Sequence, residues 1–228
     1  MSVSPDVPAE PGRAGGGRTR AGNGMSRART GILAGAARCI ARYGTRKTTM
    51  GDIAREGGVA KATLYNHFRA KPDVYAAVLE AEVDALVRAL DGVAEPRGSA
   101  AGVAACAAFV AERLASHPVL RRLATAEPEL VATLLTPTDN PAWRTARAAA
   151  TERVSLAQAA GALHAQHDTA AVVDGVLRWS LSYVLWPAPA ESIRAAADRL
   201  VAGFVAAPAG VGRPAAEPEA DTEAREAG

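Results

Sequence analysis

Between Thr48 and Lys71 the chain reads T-T-M-G-D-I-A-R-E-G-G-V-A-K-A-T-L-Y-N-H-F-R-A-K, and no other stretch restricts the fold as much. Thr48 and Thr49 precede an apolar-periodic segment, and Asp52 follows Thr49 by three. A hydroxyl and a carboxylate so spaced can satisfy the orphan N–H groups of a helix start, so a short helix is predicted from about Met50. Met50, Ile53 and Ala54 share one face of it and Asp52, Arg55 and Glu56 the other. Gly57 and Gly58 then end the helix, because glycine takes positive φ without steric penalty. Val59 plugs the angle of the turn, and Leu64 and Phe68, four apart, form the core stripe of a second helix.

The second helix carries polar groups that a packed core does not require: Lys61, Thr63, Tyr65, Asn66 and His67. A lysine suits phosphate or guanine, and the Thr63 and Tyr65 hydroxyls can donate to phosphate. Asn66 can read an adenine edge, and the Ala62 methyl can touch thymine. Two short helices around a glycine turn with such a face have the build of a helix-turn-helix that reads double-stranded DNA in the major groove. Each residue also admits a plainer reading. Tyr65 and His67 can cover the helix pair with their tips in water, and Lys61 and Lys71 can be solvated charges.

Taken together, Thr49, Ile53-Ala54, Gly58-Val59, Thr63-Leu64-Tyr65, His67-Phe68 and Lys71 resemble, in order and spacing, the DNA-binding domain of TetR-family transcriptional regulators. The resemblance covers roughly residues 28–75. It implies that Thr49 and Lys71 hold phosphates at two helix N-termini, that Tyr65 and His67 contact the DNA backbone, and that Lys61, Ala62 and Asn66 face bases. One departure stands out: Ala60 occupies a position where many relatives carry serine, so the recognition helix lacks a side-chain N-cap.

The charge distribution points the same way. Residues 1–71 hold thirteen Arg and Lys against four Asp and Glu, and residues 72–228 thirteen against twenty, so the formal total of +2 conceals a basic N-terminal part and an acidic remainder. Such asymmetry suits a protein that meets a polyanion with one end only. Ahead of the motif, Ile32, Ala36, Cys39, Ile40 and Tyr43 make an apolar stripe that ends at Gly44. A three-helix DNA-binding unit follows over about residues 28–70. Lys71-Pro72-Asp73 then opens a connecting helix that runs to about Asp91.

Beyond Gly98 the chain is rich in alanine, leucine and valine and is cut by prolines into helices predicted at 99–116, 118–125, 128–135, 141–161, 168–186 and 189–207. The fold expected is all-α: a helix-turn-helix DNA-binding domain over 26–72 and a helical effector and dimerisation domain over 73–208. A disordered arm over 1–25 and a disordered acidic tail over 209–228 flank them. Arg13, Arg18, Arg20, Arg27 and Arg29 are either part of a solvated tail or an arm for a minor groove. Met25, just before the first helix, is a possible alternative start. No stretch reaches the ~18 apolar residues of a membrane span, and the N-terminus lacks a signal-peptide core, so a protein of the cytoplasm without membrane contact is expected. Cys39 and Cys106 fall in apolar stripes and are expected to be buried small side chains.

In the last two helices, Val172, Val173, Val176, Leu177, Ser180 and Val184, with Ala171, Gly175 and Ser182, and then Ile193, Ala197, Leu200, Val201 and Phe204, give small and aliphatic residues suited to close packing. The resemblance implies that these helices pair with a second subunit; packing within the chain is the alternative. Trp143, Trp179 and Trp186 all fall after residue 140, with Tyr183 one turn from Trp179 and His164 nearby, in a chain with only ten Phe, Trp and Tyr. Trp143, His164, Trp179 and Tyr183 are candidates for the lining of a cavity for a small, largely apolar effector, or else ordinary core. Metal-ligand spacings, phosphate loops and nucleophile elbows are absent from the sequence, and the His164/His167 pair alone makes a weak metal site. No enzyme activity, cofactor or metal is expected. The reading is therefore a homodimeric repressor released from a palindromic operator by a ligand; the alternative is a regulator of the same type that answers to a protein partner or is constitutive.

Overall fold

A computed structural model describes residues 17–135 and 141–205. Among these are ten α-helices and no strand, apart from an isolated antiparallel bridge between Leu163 and Val205. The helices are α1 (Gly17–Lys47), α2 (Met50–Glu56), α3 (Lys61–His67), α4 (Lys71–Ala89), α5 (Ala100–Ser116), α6 (Pro118–Ala126), α7 (Pro128–Leu135), α8 (Pro141–Ala159), α9 (Thr169–Leu185) and α10 (Ala190–Ala202), with a 3-10 turn at Leu90–Gly92 after α4. The all-α expectation holds, and the predicted boundaries lie close to the observed ones. Proline is the first residue of α6, α7 and α8, where a missing N–H removes no helical hydrogen bond and the fixed φ suits the helix.

Two differences from the sequence reading concern local geometry. Helix α1 begins at Gly17, so its first turns fall within the stretch assigned to a disordered arm; the rest of that arm and the acidic tail over 209–228 lie outside the described residues. Tyr43, placed in the apolar stripe of α1, is instead 44% exposed, with the Arg42 guanidinium 5.8 Å from its ring centre. The stripe turns off the core one residue before Gly44, whose φ of 78° and ψ of 174° break the helix. His164 and His167 lie in the turn between α8 and α9, as the predicted helices at 141–161 and 168–186 imply.

The core falls into three parts. Ile32, Ala36, Ile53, Ala54, Leu64, Phe68, Val74 and Val78 join α1, α2, α3 and the start of α4, with Met50 and Val59 partly buried against them. Ile40, Val119, Leu123, Val131 and Val184 link α1 to α6, α7 and α9. The largest cluster packs α5 against α8, α9 and α10 through Val103, Ala107, Ala111, Val154, Val173, Ile193, Ala197 and Val201. The aliphatic stripes of α9 and α10 are thus largely consumed within the chain, on α5. No single described helix is long and apolar enough to cross a membrane.

Helix α1 crosses the turn of the helix pair without room for a side chain. A Cβ on Gly35 would stand 2.5 Å from the Gly57 amide nitrogen and 2.7 Å from its Cα, and one on Gly31 would stand 2.7 Å from the Gly57 carbonyl oxygen. Beside this crossing, Arg38 donates through Nε to Glu56 Oε1 at 2.7 Å and through Nη2 to the Glu56 carbonyl at 2.6 Å, which satisfies a carbonyl at the end of α2. Two helix backbones in direct contact hold α2, and with it α3, at a set angle to α1. Alanine favours a helix interior over glycine by about 1 kcal/mol, yet Gly35→Ala is expected to lower stability by roughly 1–3 kcal/mol through overpacking. Urea unfolding checks this, and an unchanged or raised midpoint would show that the crossing has room to spare.

Candidate nucleic-acid interface and effector cavity

Helix α2 starts as its sequence dictates. The Thr49 hydroxyl accepts from the Asp52 amide at 3.1 Å, and Asp52 Oδ2 accepts from the Thr49 amide at 3.1 Å and from the Thr49 hydroxyl at 2.6 Å. Arg55 donates to the other carboxylate oxygen at 2.6 Å. The Thr49 hydroxyl and amide, then Arg55, hold the Asp52 carboxyl below its ordinary range. The Thr49 hydroxyl proton is therefore committed to Asp52, which limits the phosphate role that the resemblance implied for it. After α2 the chain reverses through Gly58, at φ 66°.

Helix α3 is entered through Ala60, at φ −66° and ψ 145°, without a side-chain cap. Leu64 and Phe68 are buried and fix its orientation. Lys61, Ala62, Tyr65 and Asn66 are exposed, and Thr63 and His67 are half-buried at the sides. Positions 61, 62, 65 and 66 form one strip along the helix, with both hydrogen-bonding groups and a methyl directed to solvent. Arg69, which sequence reasoning passed over, is exposed just beyond the helix and extends the basic edge. Among the described residues this strip is a short helix held from behind, of the size a major groove admits.

Residues 32–78 match the family model of bacterial regulatory proteins, tetR family. These residues carry the DNA-binding domain of the tetR family. Several solved structures share its fold. The fatty acid degradation regulator FadR from Bacillus halodurans superposes at a TM-score of 0.60 with 17% identity, over 76% of this chain and 93% of that one. GusR from Salmonella enterica gives 0.60 with 20% identity, over 78% and 95%. FadR from Bacillus subtilis, in complex with stearoyl-CoA, gives 0.55 with 15% identity, over 75% and 96%. No curated protein matches the chain significantly in sequence. With this domain the chain is a DNA-binding transcriptional regulator.

The joint between the DNA-binding domain and the C-terminal helices is built on the end of α1. The Lys71 ammonium, at the start of α4, donates to the carbonyls of Thr45 at 3.0 Å and Thr48 at 3.1 Å. The Tyr75 hydroxyl also donates to the Thr45 carbonyl, at 3.1 Å, and burial pushes its pKa up to about 12. Lys71 thus closes the joint with two of its three donors, and only one is left for a phosphate. From the other side Glu127, 5% exposed between α6 and α7, accepts from the Thr45 amide at 2.6 Å, the Arg46 amide at 3.4 Å and the Thr45 hydroxyl. A Cβ on Gly44 would lie 2.6 Å from Glu127 Oε1, so glycine serves both the kink and the approach of the carboxylate. Lys71 was assigned to DNA by resemblance and Glu127 by nothing in the sequence; their joint role appears only in the folded chain.

Helices α4, α5, α8 and α9 of the regulator enclose an apolar cavity whose empty space, including its mouth, is about 1150 Å³. Leu79, Val83, Leu86 and Val87 line it from α4, Leu90 from the 3-10 turn, Cys106, Val110 and Leu114 from α5, Trp143 and Arg153 from α8, and Val176 and Ser180 from α9. Of the four candidate lining residues only Trp143 is on this wall. Trp179 and Tyr183 stack edge to face at 5.1 Å against the α5–α9–α10 core. His164 closes the α8–α9 turn, where its Nδ1 accepts from the Gln166 amide at 3.1 Å and its own amide donates to the Phe204 carbonyl at 2.8 Å. Helical spacing placed Trp179 beside Tyr183 correctly, but the face they share turns away from α4. Cys106, expected to be buried, is half-exposed to the cavity, and burial raises its thiol pKa against the opposing pull of Arg153.

Burial disfavours the ionised Glu127, but the Thr45 hydroxyl, the Thr45 and Arg46 amides and the Arg46 charge outweigh it and hold the carboxyl below its ordinary range. A lowered folded-state pKa means stability that is present above the unfolded value, about 4.3 for glutamate, and that is lost as pH falls through the folded value. Glu127→Gln is expected to cost roughly 1–3 kcal/mol at neutral pH, with the difference from the unaltered protein shrinking below about pH 4. Denaturant melts across pH check it; a difference that stays constant to pH 3 would contradict the carboxylate's role.

Proposed function

We propose that this regulator is a homodimeric repressor that leaves a near-palindromic operator when a small, largely apolar ligand enters its C-terminal helices. The observation that carries the DNA half of this reading is the exposed strip Lys61, Ala62, Tyr65 and Asn66 on a helix anchored from behind by Leu64 and Phe68. Lys61, Ala62 and Asn66 are assigned to bases. Thr63, Tyr65 and His67 are assigned to the phosphate backbone, with Thr49 and the remaining Lys71 donor at its edge. Residues 26–72 then act as the reading domain and 73–208 as the effector and dimerisation domain. Such a protein works on the chromosome, in the cytoplasm.

Dimerisation is supported by what α9 leaves uncovered. Ala171, Arg178, Ser182, Leu185 and Trp186 are exposed along one side, with Gly175 among them. A Cβ on Gly175 would meet no atom within 4 Å, and Trp186 is 83% exposed. Small residues permit close helix approach, and a large exposed aromatic at the end of the strip suits an interface. A twofold pair would set two α3 helices about 34 Å apart, one turn of DNA. Sedimentation at micromolar concentration is expected to show a dimer, and Gly175→Trp, which fills open space in the single chain, a monomer. A monomeric unaltered protein would overturn this part.

The ligand is argued from the cavity's own walls, which are almost wholly apolar; a protein of the same fold, FadR of Bacillus subtilis, was solved with stearoyl-CoA. Helix α4 lines the cavity with Leu79 to Val87 and, at its other end, holds the last turn of α1 through Lys71. A ligand that wedges α4 from α5 or α8 shifts that end and changes the separation of the two heads. It must bind the DNA-incompetent state better, and a coupling of about 1–3 kcal/mol suffices.

Tyr65→Ala is expected to weaken binding to all DNA sequences alike, and Arg69→Ala, on the exposed basic edge beside α3, to reduce the salt slope of binding by about one. Asn66→Ala is expected instead to change base preference at one position of each half-site. Selection of bound fragments from a random DNA pool, followed by titration at several salt concentrations, checks all three. Unchanged operator affinity in Tyr65→Ala would remove that residue from the interface.

A further inference from the structure

Among the described residues, the cavity wall carries one cation, Arg153. The Arg153 side chain is only 11% exposed, and its nearest carboxylate, Asp91 Oδ1, stands 3.5 Å from Nη2. Nη1 donates to the Ala149 carbonyl one turn back on its own helix, at 3.1 Å. Asp91 itself is 64% exposed and is already paired with Arg97. A guanidinium presents five N–H donors in a planar fork, and a buried one is costly unless a counter-ion meets it with good geometry. A solvated carboxylate, shared with a nearer arginine, meets that need only in part.

The surroundings of Arg153 change polarity across its plane. Leu90, Val103, Cys106 and Arg153 line the apolar cavity and also a smaller adjoining chamber of about 330 Å³ that contains Asp91, Glu95 and Arg97. Arg153 therefore sits at the boundary between an apolar space and a polar one. Trp143, Val154 and Ala149 share its helix and supply apolar surface beside it.

We propose that the effector is amphipathic, with an apolar body in the cavity between α4, α5, α8 and α9 and a single carboxylate that pairs with Arg153 in place of Asp91. This rests on the reading of the cavity as an effector site. A carboxylate arriving from the apolar side pairs with the guanidinium through charge-assisted, bidentate hydrogen bonds, screened from water by its own chain. Asp91 is released to Arg97 and solvent. The cavity gives affinity for the body, and Arg153 selects the head.

The test uses three probes with one chain and different heads: decanoate, decanol and decyltrimethylammonium. Calorimetric titration of the full-length protein is expected to give decanoate at least about tenfold tighter binding than decanol. Arg153→Met should abolish that preference and Arg153→Lys should retain part of it. Asp91→Asn, at an exposed position, should raise the ratio of decanoate to decanol affinity by removing the competing carboxylate; it decides the matter even if Arg153→Met fails to fold. Equal affinity for decanoate and decanol would overturn the assignment of the head group while leaving the cavity as an effector site. Preference for the ammonium would overturn it in favour of Asp91 as the anchor. Binding of none of the three would overturn it together with the effector reading.

Discussion

The last turn of α1 is where the two halves of this regulator are fastened. A helix end leaves carbonyls without partners, and here the break at Gly44 also leaves amides facing the interior. The Lys71 ammonium takes the carbonyls of Thr45 and Thr48, and the Glu127 carboxylate takes the amides of Thr45 and Arg46. A cation and an anion from distant segments thus satisfy opposite poles of one short piece of backbone. Because unpaired polar groups at such a site are costly, α4 and the α6–α7 corner are held to the reading head with little freedom to slide.

That fastening also joins the cavity wall to the helix pair of the DNA-binding domain. Helix α4 is a wall of the cavity along one length and a lid over the end of α1 at the other. The reading helix, in turn, is tied to α1 by contact of backbone on backbone at Gly35 and Gly57 and by Arg38 on the end of α2. Close-packed interfaces of this kind respond to a wedge by moving as units rather than by deforming. Under the proposed mechanism, a displacement of α4 would be carried to α3 through α1.

Much of the reading domain was legible in the sequence because it is specified locally. The Thr49–Asp52 cap, the glycine turn and the spacing of Ile53, Leu64 and Phe68 each involve neighbours within one or two turns, and each is found as the pattern predicts. The same local logic failed where a face had to be chosen. Tyr43 fits the helical period of Ile32 and Ile40 yet points to water, and Trp179 and Tyr183 fit the period of α9 yet turn from the cavity that Trp143 lines. Periodicity says which residues share a face; what that face meets depends on the neighbouring helices. The α9 stripe illustrates this, since α5 covers the aliphatic residues that seemed fit for a partner, and the small residues beside them stay open.

The sequence by itself determined the all-α class, the helix boundaries set by Pro118, Pro128 and Pro141, the TetR-type motif and the division of charge between basic N-terminal and acidic C-terminal parts. These are written in consecutive residues, where helix period, capping and backbone limits act over a few positions. Only the tertiary structure decided that Lys71 closes a joint, that Glu127 holds Thr45 across 82 residues, that α1 needs glycine where it crosses Gly57, and that Arg153 stands as a cation on an apolar wall. Each of those depends on the packing of segments far apart in the chain, which no pattern of neighbours records.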